Sequence, residues 1–258
     1  MSLPINQIIC GDNVETLRGF PGDCIDLTVT SPPYDNLRTY GGHSWDFEGV
    51  AQQLWRVTKP GGVVVWVVND ATVDGSETGT SFRQALHFMD IGFRLHDTMI
   101  WDKGGFSAVG SCAVRYGPVF EYMFVLAKNS PATFNALKDR KNIQVGTDPR
   151  SSCVREANGQ KRRQQSLGST VGEFGIRFNI WRVNPESNGI HPAVFPESLA
   201  RDHILSWSNE GDTVLDPFSG SGTTAKMAKL MGRQFIGIEV NPEYCEIAEE
   251  RLRQGVLF

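Results

Sequence analysis

Residues 214–224 read Val-Leu-Asp-Pro-Phe-Ser-Gly-Ser-Gly-Thr-Thr, which indicates a strand, a glycine-rich turn and a helix start in succession. In this arrangement the backbone comes close to a ligand, and the amides at the helix N-terminus face it. A tight turn that binds nothing has the same local pattern. The chemistry of the neighbouring residues must therefore distinguish a ligand site from a simple turn.

Two carboxylates describe the ligand that this turn suits. Asp216 lies at the strand tip, where it fits an ammonium group better than a phosphate, and no Lys follows the last glycine as a phosphate-binding loop requires. Glu239 ends the next predicted strand, where a carboxylate can accept both hydroxyls of a ribose. A ligand with an amine, a ribose and little negative charge is indicated. S-adenosylmethionine fits this description, whereas NAD and ATP fit it less well.

A second informative stretch is Ser31-Pro32-Pro33-Tyr34, which follows the apolar segment Ile25–Thr30. Each proline lacks a backbone donor and has a fixed φ, so the pair ends the predicted strand in a stiff bracket. A serine and an aromatic ring then stand at the carboxyl end of a strand, where open α/β sheets bind ligands. A rigid turn with a surface tyrosine is the simpler reading of a Pro-Pro pair taken alone.

Strands and helices alternate along most of the chain. We predict strands at Ile8–Cys10, Ile25–Thr30, Val63–Val68, Phe93–Trp101, Val119–Ala127, Thr213–Leu215 and Phe235–Ile238, and helices at Val14–Arg18, Phe47–Thr58, Ser81–Met89, Phe195–Ser206, Thr223–Leu230 and Pro242–Gln254. The segment Lys59-Pro60-Gly61-Gly62 is expected to end the second helix. This order predicts an α/β fold with a Rossmann-like, doubly wound, mostly parallel sheet and helices on both faces.

Residues 129–188 lose this periodicity and gain Gly, Ser, Arg and Gln, so we predict a loop-rich insert between two halves of one domain, 1–128 and 189–258. Within the insert, Lys138 to Arg182 carries a net charge of +6, although the whole chain carries −4. A basic segment in an acidic protein is typical of a DNA-contacting insert, and also of an ordinary solvated face. Lys161, Arg162 and Arg163 are the candidate DNA-binding residues.

Composition places the 258-residue chain among globular proteins, with 40% hydrophobic and 21% charged residues. It has no run of about 18 apolar residues and no secretory signal pattern at its start, so we expect a cytoplasmic protein without a membrane span. Its five cysteines are scattered and form no Cys-x-x-Cys pair. We expect free thiols rather than a disulfide framework, and no metal site.

Together, the two motifs resemble those of the DNA amino-methyltransferases that modify exocyclic nitrogens. Asp-Pro-Phe-x-Gly-x-Gly-Thr at 216–223 and Ser-Pro-Pro-Tyr at 31–34 carry this resemblance, and their order is that of the family's beta group. The resemblance implies the S-adenosylmethionine-dependent methyltransferase fold, S-adenosyl-L-methionine as the cofactor and double-stranded DNA as the partner. It places the insert as the target-recognition region. It leaves open a cognate restriction endonuclease, as in restriction-modification systems, and a homodimer.

The resemblance also implies roles for individual cofactor-binding residues. Asp216 would hold the amino group of the methionine moiety, Glu239 the ribose hydroxyls and Asp12 the adenine amine. Phe218 and Gly220 would wall the cofactor, Phe195 would close its methionine end, and Gly222 and Thr223 would also belong to the cofactor-binding site. For Asp12, an Asx-type turn or an N-cap of the following helix is an equal alternative.

The bracket would perform the chemistry. An exocyclic amine conjugated to a base ring is a poor nucleophile, so Ser31 Oγ and the Pro32 carbonyl would accept its hydrogens, with Pro33 keeping the bracket rigid. Tyr34 would stack on a target base flipped out of the duplex. In the family, Ser at position 31 usually accompanies cytosine N4, and Asp or Asn accompanies adenine N6. We therefore predict cytosine N4, with adenine N6 as the alternative.

One other chemistry is disfavoured by the sequence, and two other classes of function stay open. Methylation at C5 needs a nucleophilic Cys beside Pro, and none of the five cysteines follows a proline. A methyltransferase of RNA or protein is the first open class, although Asn is more usual at position 31 there. A non-catalytic DNA-binding regulator is the second, but the presence of Ser31, Tyr34 and Asp216 together disfavours it.

Overall fold

The computed structural model describes residues 3–34, 45–105, 114–147, 153–163, 170–185 and 195–254. The chain separates into two compact units. The first unit comprises Met1–Asn135 and Asn179–Phe258, and the second comprises Ala136–Phe178. Among the described residues, no helix is long and apolar enough to cross a membrane.

The described strands and helices follow each other closely along the chain. In chain order they are β1 (Gln7–Cys10), α1 (Asn13–Arg18), β2 (Ile25–Thr30), α2 (Phe47–Val57), β3 (Thr58–Val68), β4 (Thr72–Val73), β5 (Ser76–Glu77), α3 (Thr80–Asp90), β6 (Arg94–Asp102), β7 (Phe120–Ala127), β8 (Arg140–Lys141), β9 (Cys153–Arg155), β10 (Lys161–Arg163), β11 (Phe174–Gly175), β12 (Ile180–Arg182), α4 (Glu197–Trp207), β13 (Thr213–Asp216), α5 (Thr223–Leu230), β14 (Gln234–Glu239) and α6 (Pro242–Arg253).

The first unit is built on an eight-stranded sheet in the order β1-β14-β13-β2-β3-β7-β6-β12. Its strands pair in parallel except β7, which runs antiparallel to both β3 and β6. The predicted doubly wound, mostly parallel α/β fold is confirmed. The chain moves outward from β13 to β14 in one direction and from β2 to β3 in the other. A ligand-binding crevice is therefore expected at the carboxyl ends of β13 and β2.

Most predicted elements are present, and β2 and α5 have the predicted bounds. The largest difference is β3, which begins at Thr58 instead of Val63. Thr58 pairs with Ile25 and Val63 with Leu27, with a register shift between the two pairs. The Lys-Pro-Gly-Gly segment is thus accommodated as an irregular strand extension, because a bulge absorbs residues that a regular ladder would exclude.

Large aromatic side chains form the part of the core that lies beneath the crevice. Trp66 of β3 is fully buried, and its Nε1 donates to Gln84 Oε1 over 2.9 Å. The Trp66 ring lies 5.0 Å from the Phe88 ring and 6.2 Å from the Phe218 ring, both edge to face. Because Phe218 belongs to the turn after β13, the core directly supports the glycine-rich turn.

The second unit contains two antiparallel ribbons, β8 with β11 and β9 with β10. The predicted loop-rich insert therefore contains short strands, and Lys161–Arg163 is one of them. The unit is also narrower than the predicted range 129–188. Ala132 N bonds to Gly61 O, and Ile180–Arg182 pairs with β6, so the flanking residues belong to the first unit.

Candidate active site at the carboxyl ends of β13 and β2

The glycine-rich turn between β13 and α5 has the tight geometry that its sequence predicts. Gly220 and Gly222 both have positive φ, at 50° and 79°. A Cβ at Gly222 would lie 2.8 Å from Ala248 Cβ of α6. Glycine is therefore needed at position 222 for both its backbone conformation and its close approach to α6. Thr223 begins α5 directly after it and is 4% exposed.

Asp216, the last residue of β13, is a buried carboxylate with internal donors. Its Oδ1 accepts from Thr30 Oγ1 over 2.7 Å and from Phe218 N over 3.1 Å. The pKa of the Asp216 carboxyl is raised to about 6, chiefly by burial and to a smaller extent by the Glu239 charge, against the lowering effect of hydrogen bonds from Thr30, Phe218 and Thr224. A cation beside Asp216 would favour its ionised form, so the carboxylate suits the ammonium group predicted for it.

Glu239 joins the loop after β13 to the loop after β14. Its Oε2 accepts from Gly220 N over 2.8 Å, and its Oε1 accepts from Asn241 N over 2.9 Å. A carboxylate has about four acceptor positions, so each oxygen retains the capacity for another donor. The ribose contact predicted for Glu239 stays a prediction. The structure adds a role that the sequence did not indicate, which is to hold the glycine-rich turn against the start of α6.

Asp12 is the N-cap of α1, because its Oδ1 accepts from Glu15 N over 2.9 Å. This is one of the two alternatives that the sequence left open, and the adenine contact stays a prediction. The next residue, Asn13, was not assigned a role from the sequence. Its Nδ2 donates to Pro217 O over 3.2 Å, which ties the start of α1 to the glycine-rich turn.

Phe218 and Phe195, the two aromatic residues predicted to line the cofactor site, pack against different tryptophans. The Phe218 ring lies 4.9 Å from the Trp45 ring at an angle of 78°. The Phe195 ring lies 6.5 Å from the Trp101 ring at 90°, just before α4. Trp45 received no role from the sequence, because it has no local motif and its contact partner is distant in the chain.

The Ser-Pro-Pro-Tyr bracket continues directly from β2. Pro32 is buried, whereas Ser31, Pro33 and Tyr34 are partly exposed. Ser31 Oγ lies 2.8 Å from Tyr34 Oη, so the two ends of the bracket are joined by a hydrogen bond. The Tyr34 ring packs partly against the hydrophobic core. These contacts agree with a rigid bracket and contradict a freely exposed surface tyrosine.

Tyr34 also reaches a buried ion pair that was not predicted as part of the site. Its hydroxyl donates to Glu121 Oε2 over 2.6 Å, and Glu121 Oε1 contacts Lys103 Nζ. Glu121 is only 7% exposed, on β7. The available signal was a charged residue inside the apolar run of β7, but a strand sequence does not show which side chain such a residue meets.

The candidate DNA-binding residues belong to the second unit. Lys161 is exposed and begins β10. Not every cation of this unit is available to a ligand: Arg177 pairs with Asp139, and this contact holds the pKa of the Asp139 carboxyl below its usual range. Arg140 stacks over the Phe178 ring at 4.5 Å.

Comparison with known proteins decides the family. Residues 25–250 match the N6/N4 methyltransferase family model, whose description is DNA methylase. The chain belongs to this family of DNA methylases. The orphan methyltransferase M.BamHII of Bacillus amyloliquefaciens is 55% identical to it over 246 residues, which cover 92% of each protein.

Solved structures similar to this DNA methylase agree with its fold and indicate its cofactor. The putative DNA modification methylase TTHA0409 of Thermus thermophilus, in complex with S-adenosyl-L-methionine, has a TM-score of 0.64 and 27% identity, covering 98% of this chain and 97% of that one. The cytosine-N4-specific PvuII DNA methyltransferase has a TM-score of 0.68 and 23% identity, covering 95% and 85%. S-adenosyl-L-methionine is the cofactor of this methylase, and it supplies the methyl group.

The geometry of the crevice fits this cofactor. The buried Asp216 carboxylate accepts hydrogen bonds from Thr30 and Phe218, which are neutral donors, and an ammonium would bring the positive charge that a buried carboxylate favours. Gly220 has no side chain, so a ligand can approach the backbone of the turn at that position. The assignment of Asp12, Phe195, Asp216, Phe218, Gly220, Gly222, Thr223 and Glu239 to particular cofactor atoms stays a prediction.

Proposed function

We propose that this DNA methylase transfers a methyl group to the exocyclic N4 amine of a cytosine flipped out of duplex DNA. The observation that carries the proposal is the contact between Thr30 Oγ1 and Asp216 Oδ1. Thr30 directly precedes Ser31, and Asp216 is the residue proposed to hold the methionine ammonium. The proposed amine acceptor and the proposed cofactor carboxylate are therefore adjacent in the crevice.

Ser31 and Pro32 perform the positioning in this proposal. Ser31 Oγ and the Pro32 carbonyl accept hydrogen bonds from the two N–H groups of the amine. These hydrogen bonds favour a more tetrahedral nitrogen and direct its lone pair towards the methyl group of the cofactor. Well-oriented reactants gain roughly 7–11 kcal/mol from positioning alone. Pro33 restricts the backbone of the bracket, so these acceptors keep their orientation.

Tyr34 provides the stacking surface for the extruded base. Extrusion costs a few kcal/mol of stacking and pairing, and stacking on an aromatic ring returns about 1–3 kcal/mol. Because its hydroxyl is bonded to Glu121, the ring is already fixed before DNA binds. A fixed ring loses little conformational entropy when the base arrives.

Adenine N6 is the second candidate target. The family model covers N6 as well as N4 methylases, and both bases present an amino group on a ring. The Ser at position 31 favours cytosine, following the family's usual correspondence. A cognate restriction endonuclease and a homodimer stay predictions.

One experiment distinguishes these outcomes. The protein is incubated with S-adenosyl-L-methionine and mixed-sequence duplex DNA, and the nucleosides are then identified by mass spectrometry. We expect N4-methylcytosine. N6-methyladenine would support the second candidate, and the absence of any methylated nucleoside would overturn the proposal. In that case, methylation of structured RNA or protein in parallel reactions would indicate a methyltransferase of another substrate class, and tight DNA binding in a separate binding measurement would indicate a non-catalytic regulator.

A further inference from the structure

A chain of hydrogen bonds connects the proposed catalytic serine to a buried ion pair. It runs from Ser31 Oγ to Tyr34 Oη over 2.8 Å and from Tyr34 Oη to Glu121 Oε2 over 2.6 Å. Glu121 Oε1 contacts Lys103 Nζ, and the two side chains are 9% and 24% exposed. The chain thus links β2 to β7 through side chains alone.

The carboxylate sets the direction of every hydrogen bond in this chain. An ionised carboxylate only accepts hydrogen bonds, and its pairing with the Lys103 ammonium is consistent with that state. Tyr34 has a single hydroxyl hydrogen, and this hydrogen goes to Glu121. In the contact with Ser31, Tyr34 must therefore accept, and Ser31 must donate. Because its hydrogen is donated to Tyr34, Ser31 Oγ can offer a substrate only its lone pairs.

We infer that Glu121 is a positioning residue that acts through Tyr34 to make Ser31 Oγ an obligate hydrogen-bond acceptor. This inference rests on the proposed function, because it concerns how Ser31 meets the target base. It has a consequence for specificity. A base with an amino group in the pocket donates to Ser31, whereas a base with a keto oxygen at the same place meets lone pairs and is disfavoured.

Replacement of Glu121 by Gln tests the direction of the chain. The Gln carbonyl can keep the contact with Lys103, which places the amide nitrogen towards Tyr34. Tyr34 then accepts from the amide and donates to Ser31, whose own hydrogen is freed to face the substrate amine. We expect the single-turnover rate of Glu121→Gln to fall at least about tenfold, with unchanged cofactor affinity and little change in melting temperature.

The variant Tyr34→Phe keeps the stacking ring and removes the connecting hydroxyl. Ser31 then loses its fixed direction but is not reversed, so we expect a smaller loss, roughly three- to tenfold. Because Glu121 acts only through the Tyr34 hydroxyl, Glu121→Gln should cost nothing more in the Tyr34→Phe background. The double variant should therefore match Tyr34→Phe and exceed the Glu121→Gln single variant in rate.

A binding measurement gives a readout that does not depend on methyl transfer. Affinities are compared for duplexes that carry, at the methylated position, the amino base or its keto analogue. The parent should prefer the amino base, and Glu121→Gln should lose most of that preference. Asp26→Asn is the matched control, because Asp26 pairs with Lys59 at the other end of β2, 2.7 Å from its Nζ.

The outcomes separate this inference from the proposed function. If the parent methylates DNA but Glu121→Gln loses no more rate than Asp26→Asn, or the double variant is slower than both single variants, the inference is overturned and the proposed function stands. If the parent methylates no DNA base, both fall. A rate loss in Glu121→Gln that Tyr34→Phe relieves supports the inference.

Discussion

Thr30 Oγ1 donates a hydrogen bond to Asp216 Oδ1 over 2.7 Å, and both residues are almost completely buried. The bond joins the ends of two neighbouring parallel strands, β2 and β13, at the point where the strand order of the sheet reverses. Each strand leads into one of the two motifs. Thr30 immediately precedes the catalytic bracket, and Asp216 begins the cofactor turn. The bond between them therefore holds the two motifs together.

Thr30→Val should weaken cofactor binding about tenfold. Valine has a similar shape but removes a donor to a buried carboxylate, and hydrogen bonds to charged groups contribute about 1.5–3 kcal/mol. Calorimetric titration with S-adenosyl-L-methionine measures the change, and Thr30→Ser is the control because it keeps the hydroxyl. Asp216→Ala should abolish binding. Equal affinity in Thr30→Val and the parent would contradict a role for this bond in the cofactor site.

Asp216 should make the ligand-free protein less stable as the pH rises. Its pKa is about 6 when folded, above the value of about 4 expected when unfolded, so the folded state binds the proton more tightly. The raised pKa contributes roughly 3 kcal/mol to the free energy of unfolding. This contribution is fully present below about pH 4 and is lost as the pH rises through 6. Denaturant titration of the parent and Asp216→Asn between pH 4 and 7 isolates this effect. As the pH rises, the free energy of unfolding of the parent should fall relative to that of Asp216→Asn. A difference between the two proteins that does not change with pH would refute the prediction.

Tyr34→Ala should reduce methyl transfer while leaving cofactor affinity unchanged. The ring is proposed to contact the extruded base, where stacking contributes about 1–3 kcal/mol, so we expect a loss of about tenfold or more in rate. Single-turnover kinetics and calorimetry provide the two values, and Tyr34→Phe, which loses only the hydroxyl and retains the ring, should lose less rate than Tyr34→Ala. Similar losses of rate and of cofactor affinity would identify Tyr34 as a structural residue.

Gly222→Ala should destabilise the protein by at least about 2 kcal/mol and impair cofactor binding. The left-handed backbone costs a side chain about 1–2 kcal/mol, and the new Cβ would meet Ala248 Cβ at 2.8 Å. Gly75→Ala is a matched control, since Gly75 also has positive φ but a Cβ there would meet no atom of the described residues within 4 Å. Chemical denaturation compares the two. Equal destabilisation would show that the approach of α6 is unimportant.

Replacement of Lys161, Arg162 and Arg163 by Ala should lower the salt dependence of DNA binding. If all three contact phosphates, the slope of log affinity against log salt falls by nearly three units, at about 0.9 per contact. Cofactor affinity should not change. Arg18→Ala, which removes an exposed cation from α1, controls for general charge effects. An unchanged slope in the triple variant would place the DNA-contacting surface elsewhere.

The sequence by itself determined the fold class and the two motifs. The alternation of apolar segments with amphipathic ones predicted β2 and α5 to the residue, because such periodicity is local and survives any tertiary arrangement. The glycine pair at 220 and 222 likewise predicted a tight turn, since positive φ is a property of the local backbone. The carboxylates Asp216 and Glu239 could be placed at strand ends for the same reason.

Only the tertiary structure decided which distant side chains meet. Glu121 lies 87 residues from Tyr34, and Asp216 lies 186 residues from Thr30, yet each pair shares a hydrogen bond. Such pairs depend on strand order and register, and a segment's own periodicity does not specify its neighbours in the sheet. The same limit applies to the contact between Glu239 and Gly220 N, because it forms only when β13 and β14 lie side by side in the sheet.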